Sequence, residues 1–296
     1  MVIIRLRFLA QQIIFHNGVG PLRVVSRLRK LPKDLHLSGI FFHSTTNALN
    51  LINKIFSSLY KLWVFLVFTV FMLLFLPGII IPAFFGQHAV SVTYFFMKAW
   101  SWVFSMLTFI RYEMIGRENI VRGKSYIYVS NHTSFLDLPG IAMSIRGQFR
   151  PLAKKELLKI PVFGWITRAT CVVVDRTSNE SRKKSISHLK EILNMGINIL
   201  IFPEGTQNRS KEILQPFKDG AFKIASDTQK PLLPLVVIGA GRLMPPGTIN
   251  LRPGLIKIVV GKEIPVDGSV DTKTLKQQTT EIMLAMITQE TQLVPA

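Results

Sequence analysis

The feature that most constrains this chain is the run at residues 62–81, LWVFLVFTVFMLLFLPGIII, twenty residues in which Thr69 is the only clearly polar side chain. About 20 such residues in a helix cross the hydrocarbon core of a bilayer, and a buried helix of a soluble protein is seldom apolar on every face. Pro77-Gly78 near its end should kink or stop a helix, so a spanning segment and a re-entrant one both stay open. The next stretch, residues 91–110, has a different pattern. Ser91, Tyr94, Lys98, Ser101, Ser105 and Thr108 recur at spacings of 3 and 4, which puts them on one helical stripe among Phe, Trp, Val and Met. That pattern predicts a helix lying in the membrane interface with Lys98 reaching the headgroups. A second spanning helix with its polar side against a neighbour is the other reading.

Charge divides around this region. The chain of 296 residues carries a formal +19, of which +8 falls on residues 1–61, +1 on 62–110 and +10 on 111–296. An excess of that size asks for an anionic partner, and its position beside lipid-seeking segments favours anionic membrane lipids over nucleic acid, for which no fold signature is present. Lys54 and Lys61 precede the apolar region and Arg111, Arg117 and Arg122 follow it. Basic flanks tend to stay cytoplasmic, so both ends, and the domain after them, are expected at the cytoplasmic membrane face. Three parts follow: a basic arm over 1–61, a membrane-associated helical region over 62–110, and a domain over 111–296. The arm also has the Arg-rich, acid-poor character of a transit peptide. Clusters such as Arg146, Arg150, Lys154, Lys155 and Lys159 suit lipid headgroups, the phosphates of a CoA, an acidic acyl carrier protein, or a solvated face.

From residue 111 short apolar runs alternate with helical periodicity. Residues 125–130, 170–174, 197–202, 232–238 and 255–260 read as buried strands, and residues 177–196 and 271–292 as helices. Thr177 with Glu180 forms a capping box, and Gly196 stops that helix. The alternation predicts an α/β domain with a mostly parallel central sheet and flanking helices, preceded by N-terminal membrane-embedded helices. Cys171 is the sole cysteine, which excludes a disulfide framework. No histidine pair has metal-ligand spacing, and Gly239-Ala240-Gly241 lacks the third glycine of a dinucleotide loop. No metal and no cofactor are expected.

Two segments at strand exits carry chemistry. Asn131-His132-Thr133-Ser134-Phe135-Leu136-Asp137 follows the run 125–130, and ligands of a parallel sheet gather at such strand ends. Asp137 can fold back on the His132 imidazole and fix its tautomer, so that the other ring nitrogen can take a proton from a hydroxyl. Phe202-Pro203-Glu204-Gly205-Thr206 leaves a second strand, with Gly205 allowing close backbone approach.

NHTSFLD, the run ending in VVVDR, FPEGT with the following PFKDGAF, and LPLVVIG occur in the order and spacing of the four sequence blocks of the glycerolipid acyltransferases, and the chain resembles that family over about residues 60–265. Within it the blocks are most similar to those of members acting on lysophosphatidic acid. The resemblance implies that His132 is a general base oriented by Asp137, and that a glycerol hydroxyl attacks the thioester of acyl-CoA or acyl carrier protein directly. It also implies that Glu204, Gly205 and Thr206 bind the acceptor and that Arg176 pairs with its phosphate. Where the family usually has Arg after FPEGT this chain has Gln207, with Arg209 two residues on as the remaining phosphate ligand. Ala169-Thr170 stands where the second block usually begins with Gly. No G-x-S-x-G elbow makes Ser134 a nucleophile. Glycerol 3-phosphate or another lysophospholipid as acceptor, and a lipid-binding protein without turnover, are the alternatives.

Overall fold

A computed structural model describes residues 39–174 and 179–292. The chain divides into two compact units, Met1–Phe56 and Ser57–Ala296. Of the first, the described part is the beginning of one long helix, α1 (Gly39–Ile80). The basic residues up to Lys33 and the Arg176 and Thr177 expectations lie outside the described residues.

The second unit holds a seven-stranded sheet of β1 (Ile110–Ile115), β2 (Ile127–Ser130), β3 (Phe149–Lys154), β4 (Val172–Val174), β5 (Asn198–Ile201), β6 (Leu232–Ile238) and β7 (Gly254–Val260). The spatial order is β1-β7-β6-β2-β5-β3-β4, and every pairing is parallel except β6 with β7. The five apolar runs of the sequence are all strands. β1 and β3 carry Arg111, Glu113, Arg150 and Pro151, so the apolar-run criterion passes over them. β1 is an edge strand and β3 stands next to the other edge, where one side of a strand need not be apolar.

Helices cover both faces, as the alternation along the strands requires. Tyr126 and Tyr128 of the β2 segment point into one core, with Ile141 of α3 (Asp137–Ser144) and Trp100 and Phe104 of α2 (Gln87–Thr108). Ile127 and Val129 point into the other, with Leu189 and Leu193 of α5 (Asn179–Asn194), Phe222 of α6 (Gly220–Thr228) and Leu275 of α8 (Thr272–Gln292). Two shorter helices, α4 (Phe163–Thr170) and α7 (Ala240–Leu243), follow β3 and β6. The α8 start is capped by Asp271 Oδ1, which accepts the backbone N–H groups of Lys273 and Thr274.

α1 continues through Pro77 and passes into a short 3₁₀ turn at Ile81–Phe85, so the Pro77-Gly78 pair does not end the helix on its own. It runs back along α2 closely enough that a β-carbon on Gly78 would meet the Phe96 ring at 2.5 Å. The stretch Asn50–Phe85 is long and apolar enough to cross a membrane. Leu62, Phe65, Leu66, Val70, Leu73 and Leu74 are all exposed. Leaving that many large side chains in water forgoes about 1.5–3 kcal/mol each, a sum on the scale of the whole stability of a typical domain. A lipid environment removes that penalty.

The polar stripe of α2 faces the sheet domain rather than headgroups. Lys98 Nζ donates to the Ile145 carbonyl at 2.7 Å, the buried Tyr94 hydroxyl donates to the Phe149 carbonyl, and Ser105 Oγ donates to the Ile110 carbonyl at 2.8 Å. Val92, Phe95, Trp102 and Met106 are the exposed large apolar residues of this helix, and Ser91 near its start is the one exposed member of the polar stripe. An amphipathic pattern reports two environments and leaves open which one the polar side meets. Here the polar side satisfies strand-entry carbonyls that water cannot reach.

Asn198 fixes the register of three strands. Its Oδ1 accepts the Tyr126 N–H at 2.9 Å and its Nδ2 donates to the Gln148 carbonyl at 2.9 Å, at the start of β2, β3 and β5. Asn198→Leu leaves the buried Tyr126 N–H without its acceptor, whereas the Gln148 carbonyl keeps the Asn198 backbone N–H, so unfolding in detergent should show a loss of about 1–3 kcal/mol. An unchanged transition would show that water replaces the lost bond.

Candidate active site

His132 follows β2, the central strand, and Phe202 to Thr206 follow β5, its neighbour. Both loops leave the carboxyl ends of parallel strands, so they meet in one crevice. His132 Nδ1 lies 2.8 Å from Asp137 Oδ2. The same oxygen accepts the N–H groups of Thr133 at 2.7 Å and Ser134 at 2.9 Å, and the Thr133 hydroxyl donates to Oδ1 at 3.3 Å. A carboxylate already taking two N–H donors is an acceptor, so Nδ1 carries the proton of the neutral ring and Nε2 keeps its lone pair. Asp137 is buried at the first turn of α3, where the helix dipole also favours its charge. The imidazole remains 17% exposed and stacks on Phe202, centroids 4.2 Å apart at 22°.

The second loop holds the backbone of His132 from both sides. Glu204 Oε1 accepts the His132 N–H at 2.9 Å, and the Asn208 N–H donates to the His132 carbonyl at 2.6 Å. Glu204 Oε2 accepts the Gln215 N–H at 3.0 Å. Burial pushes the Glu204 carboxyl above its ordinary pKa, and these two N–H bonds oppose that rise. Glu204 is 3% exposed, so its carboxylate is turned toward the protein and its contacts are backbone groups.

The other expected residues are placed differently. Gly205 adopts φ 78°, and a β-carbon there would press on the Lys218 side chain at 3.0 Å. Thr206 is exposed, its hydroxyl 3.5 Å from Gln215 Oε1. Arg209 is exposed, with its guanidinium over the 245–248 turn, where a β-carbon on Gly247 would lie 3.1 Å from it. Arg176 is not among the described residues.

Three supporting residues carried no separate signal in the sequence. Asn131 bridges from β2 to β6, its Oδ1 accepting the Val237 N–H at 2.7 Å and its Nδ2 donating to the Val237 carbonyl at 2.9 Å. Ser134 Oγ donates to the Met244 carbonyl at 2.8 Å. Asn208 Oδ1 accepts the Ser210 N–H at 2.9 Å and the Gln215 amide at 3.1 Å, which folds the loop after Thr206 back on itself. Asn131 and Ser134 stand inside the NHTSFLD block, and that place is the available clue to them.

Beside this crevice lies a groove of about 740 Å³ lined by Trp102, Met106, Phe109, Arg111, Tyr112 and Met143 among others. It is on the same end of the sheet, because β7 runs against β6 and Gly254 at its start pairs with Ile110 of β1. The Tyr112 hydroxyl at its wall donates to the Leu136 carbonyl at 3.0 Å, one residue before Asp137. Burial raises the Tyr112 phenol well above its ordinary pKa, so it is a neutral donor.

A family model described as Acyltransferase matches residues 111–238, which include both loops. The chain is 34% identical over 170 residues to a 1-acyl-sn-glycerol-3-phosphate acyltransferase of Chlamydomonas reinhardtii, covering 56% of this chain and 51% of that one. It is 30% identical over 201 residues to an uncharacterized acyltransferase of Schizosaccharomyces pombe, covering 66% and 72%. The chain spans about half the length of the first of these and of two similar plant relatives. The crystal structure of the 1-acyl-sn-glycerophosphate acyltransferase PlsC from Thermotoga maritima shares the fold, with TM-score 0.70 and 24% identity over 82% of this chain and 99% of that one.

Glu204→Gln keeps the shape but offers an amide N–H₂ to one of two backbone N–H groups. The opposed donors should cost roughly 1–3 kcal/mol, read as a lower unfolding midpoint, and should shift the His132 ring resonances. Unmoved resonances would show that the loop relaxes without disturbing His132.

Proposed function

The chain belongs to the acyltransferase family, and from that premise we propose that it transfers an acyl chain from a thioester, acyl-CoA or acyl carrier protein, to the free sn-2 hydroxyl of 1-acylglycerol 3-phosphate, giving phosphatidic acid. The observation that carries the reading is the His132–Asp137 contact at 2.8 Å, which commits Nδ1 and leaves Nε2 for a substrate proton. In the proposed step His132 Nε2 removes the hydroxyl proton as the alkoxide oxygen attacks the thioester carbon. The C–S bond then breaks, and the proton passes from His132 to the departing thiolate. Asp137 stabilises the imidazolium formed in between. The step involves no covalent enzyme intermediate and needs no cofactor. Burial holds the Cys171 thiol above its ordinary pKa, so this cysteine is a poor nucleophile.

Glu204, though one of the residues implied to bind the acceptor, takes the role of a positioning residue in this reading, because a buried carboxylate facing inward is poorly suited to a phosphate dianion. Thr206 and Arg209 lie on the exposed side of the same loop and are the described candidates for the acceptor phosphate, with Arg176 as a further one. A guanidinium suits that task by its paired donors. The groove along Trp102, Met106 and Tyr112 is assigned to an acyl chain, since its walls are largely apolar and it opens beside the exposed face of α2. Membrane association rests on α1, and the basic flanks support a cytoplasmic placement of the domain.

With lysophosphatidate and acyl-CoA in membranes, His132→Ala should reduce kcat by about 10²–10⁴-fold; turnover equal to wild type would sink the general-base assignment. Arg209→Ala should raise KM for the phosphate-bearing acceptor roughly 10-fold or more, the scale of one charge-assisted hydrogen bond. An acceptor panel including glycerol 3-phosphate, run with CoA and carrier-protein donors, tests the choice of substrate pair. A higher kcat/KM on glycerol 3-phosphate would overturn the acceptor named above.

A further inference from the structure

α4 and the turn before it form an apolar surface that the acyl-transfer reading leaves unused. Ile160, Phe163 and Trp165 are 45%, 40% and 58% exposed. Lys154, Lys159 and Arg168 stand exposed on the same short segment. The inner side of α4 is anchored, with Thr167 and Thr170 buried and Ile166 packed against the core that also holds Val64, Val67 and Met72 of α1. The outward apolar side is therefore presented by the fold and is not a frayed end.

The turn is built to present it. Val162 has φ 66° and ψ −53°, the strained γ-turn conformation that a β-branched residue seldom adopts, and the Phe163 N–H donates across it to the Pro161 carbonyl at 2.7 Å. Such a conformation persists only where its surroundings hold it in place. Gly164 is part of that hold, because a β-carbon there would lie 2.3 Å from the Leu158 carbonyl oxygen.

Two observations identify what covers this surface. Phe163 stacks on Phe68 of α1, centroids 6.1 Å apart at 13°, and Phe68 in turn packs against Trp100 and Phe104 of α2, so α4 lies directly beside the apolar helix that the membrane would hold. Its rim carries a net positive charge, the single acid Glu156 standing against the cations of the same segment, on a chain of formal charge +19, which matches an anionic leaflet. Exposed Trp and Phe beside Lys and Arg is also the composition of an interfacial anchor. We propose that the segment from Lys154 to Arg168 is a second membrane contact, with Ile160, Phe163 and Trp165 inserted among the acyl chains near the headgroups and Lys154, Lys159 and Arg168 on anionic lipid. Because β3 is parallel to β5, this segment leaves the same end of the sheet as the His132 crevice, so the contact holds the crevice at the leaflet surface.

The test uses the full chain in phosphatidylcholine vesicles with and without phosphatidylglycerol. The Trp165 signal is the difference between wild-type and Trp165→Phe emission. It should be quenched severalfold more by a lipid carrying a nitroxide near the headgroup than by one labelled near the chain end, and it should be shielded from aqueous iodide. Replacing Lys154, Lys159 and Arg168 by Gln should weaken the lipid quenching at least twofold in the anionic vesicles. Should Trp165→Phe disturb the fold, Ile160→Cys carrying an environment-sensitive fluorophore reads the same depth, since Cys171 is held poorly reactive. A signal from Trp165, or from the fluorophore at position 160, that is open to iodide and indifferent to nitroxide lipid would overturn the proposal, as would lipid quenching independent of both the anionic lipid and the three cations. None of these readouts involves turnover, so they stand or fall separately from the acyl-transfer reading.

Discussion

Two buried carboxylates, Asp137 and Glu204, determine the geometry of the crevice, and the rest of the site depends on their being satisfied. A charge removed from water is tolerated only with donors around it. Asp137 finds its donors locally, in the N–H groups of Thr133 and Ser134 and the His132 ring. Glu204 finds one within its own loop, at Gln215, and one across the crevice at the His132 backbone. Side chain and main chain of His132 are thus held by different carboxylates from different strand exits. Neither loop can move without uncovering a buried charge, and this fixes the imidazole before any substrate arrives.

That division explains how much of the site can be read from the sequence. The His132–Asp137 partnership is local, five residues apart at a strand exit, and its contact follows from chain geometry. The partnership of Glu204 with the His132 backbone spans 72 positions and depends on β2 and β5 being neighbours, which residue spacing does not encode. The resemblance implied a substrate contact for Glu204, whereas its oxygens face main-chain donors. The fold shows the same limit. Central strands such as β5 and β6 are legible because both faces are buried and their residues, Asn198 apart, are apolar. β1 and β3 carry charges and a proline toward the edges of the sheet, and their assignment depends on partners far along the chain.

The polar stripe of α2 is the most instructive misreading. Periodicity correctly separates a polar from an apolar side over residues 91–108, but the rule that polar sides face water or headgroups presumes that the chain has no polar interior to offer. Here the strand entries before β1 and β3 leave the carbonyls of Ile110, Ile145 and Phe149 uncovered by the sheet ladder, and α2 lies over them. Ser105, Lys98 and Tyr94 supply the missing donors. The cation of Lys98 serves a carbonyl of the protein instead of a phosphate of the membrane.

Seen from the bilayer, α2 is then an adaptor between two media. Its exposed side, with Phe95, Trp102 and Met106, continues the apolar surface of α1. Its other side is hydrogen-bonded to the sheet domain at three separate carbonyls. Apolar packing alone would let the domain swivel against a lipid-bound helix, because dispersion and burial are non-directional. Directional bonds at several points along α2 remove that freedom. The two helices and the His132 crevice therefore share one frame, and the groove between Trp102 and Tyr112 sits where the exposed apolar side of α2 meets the strands next to the crevice.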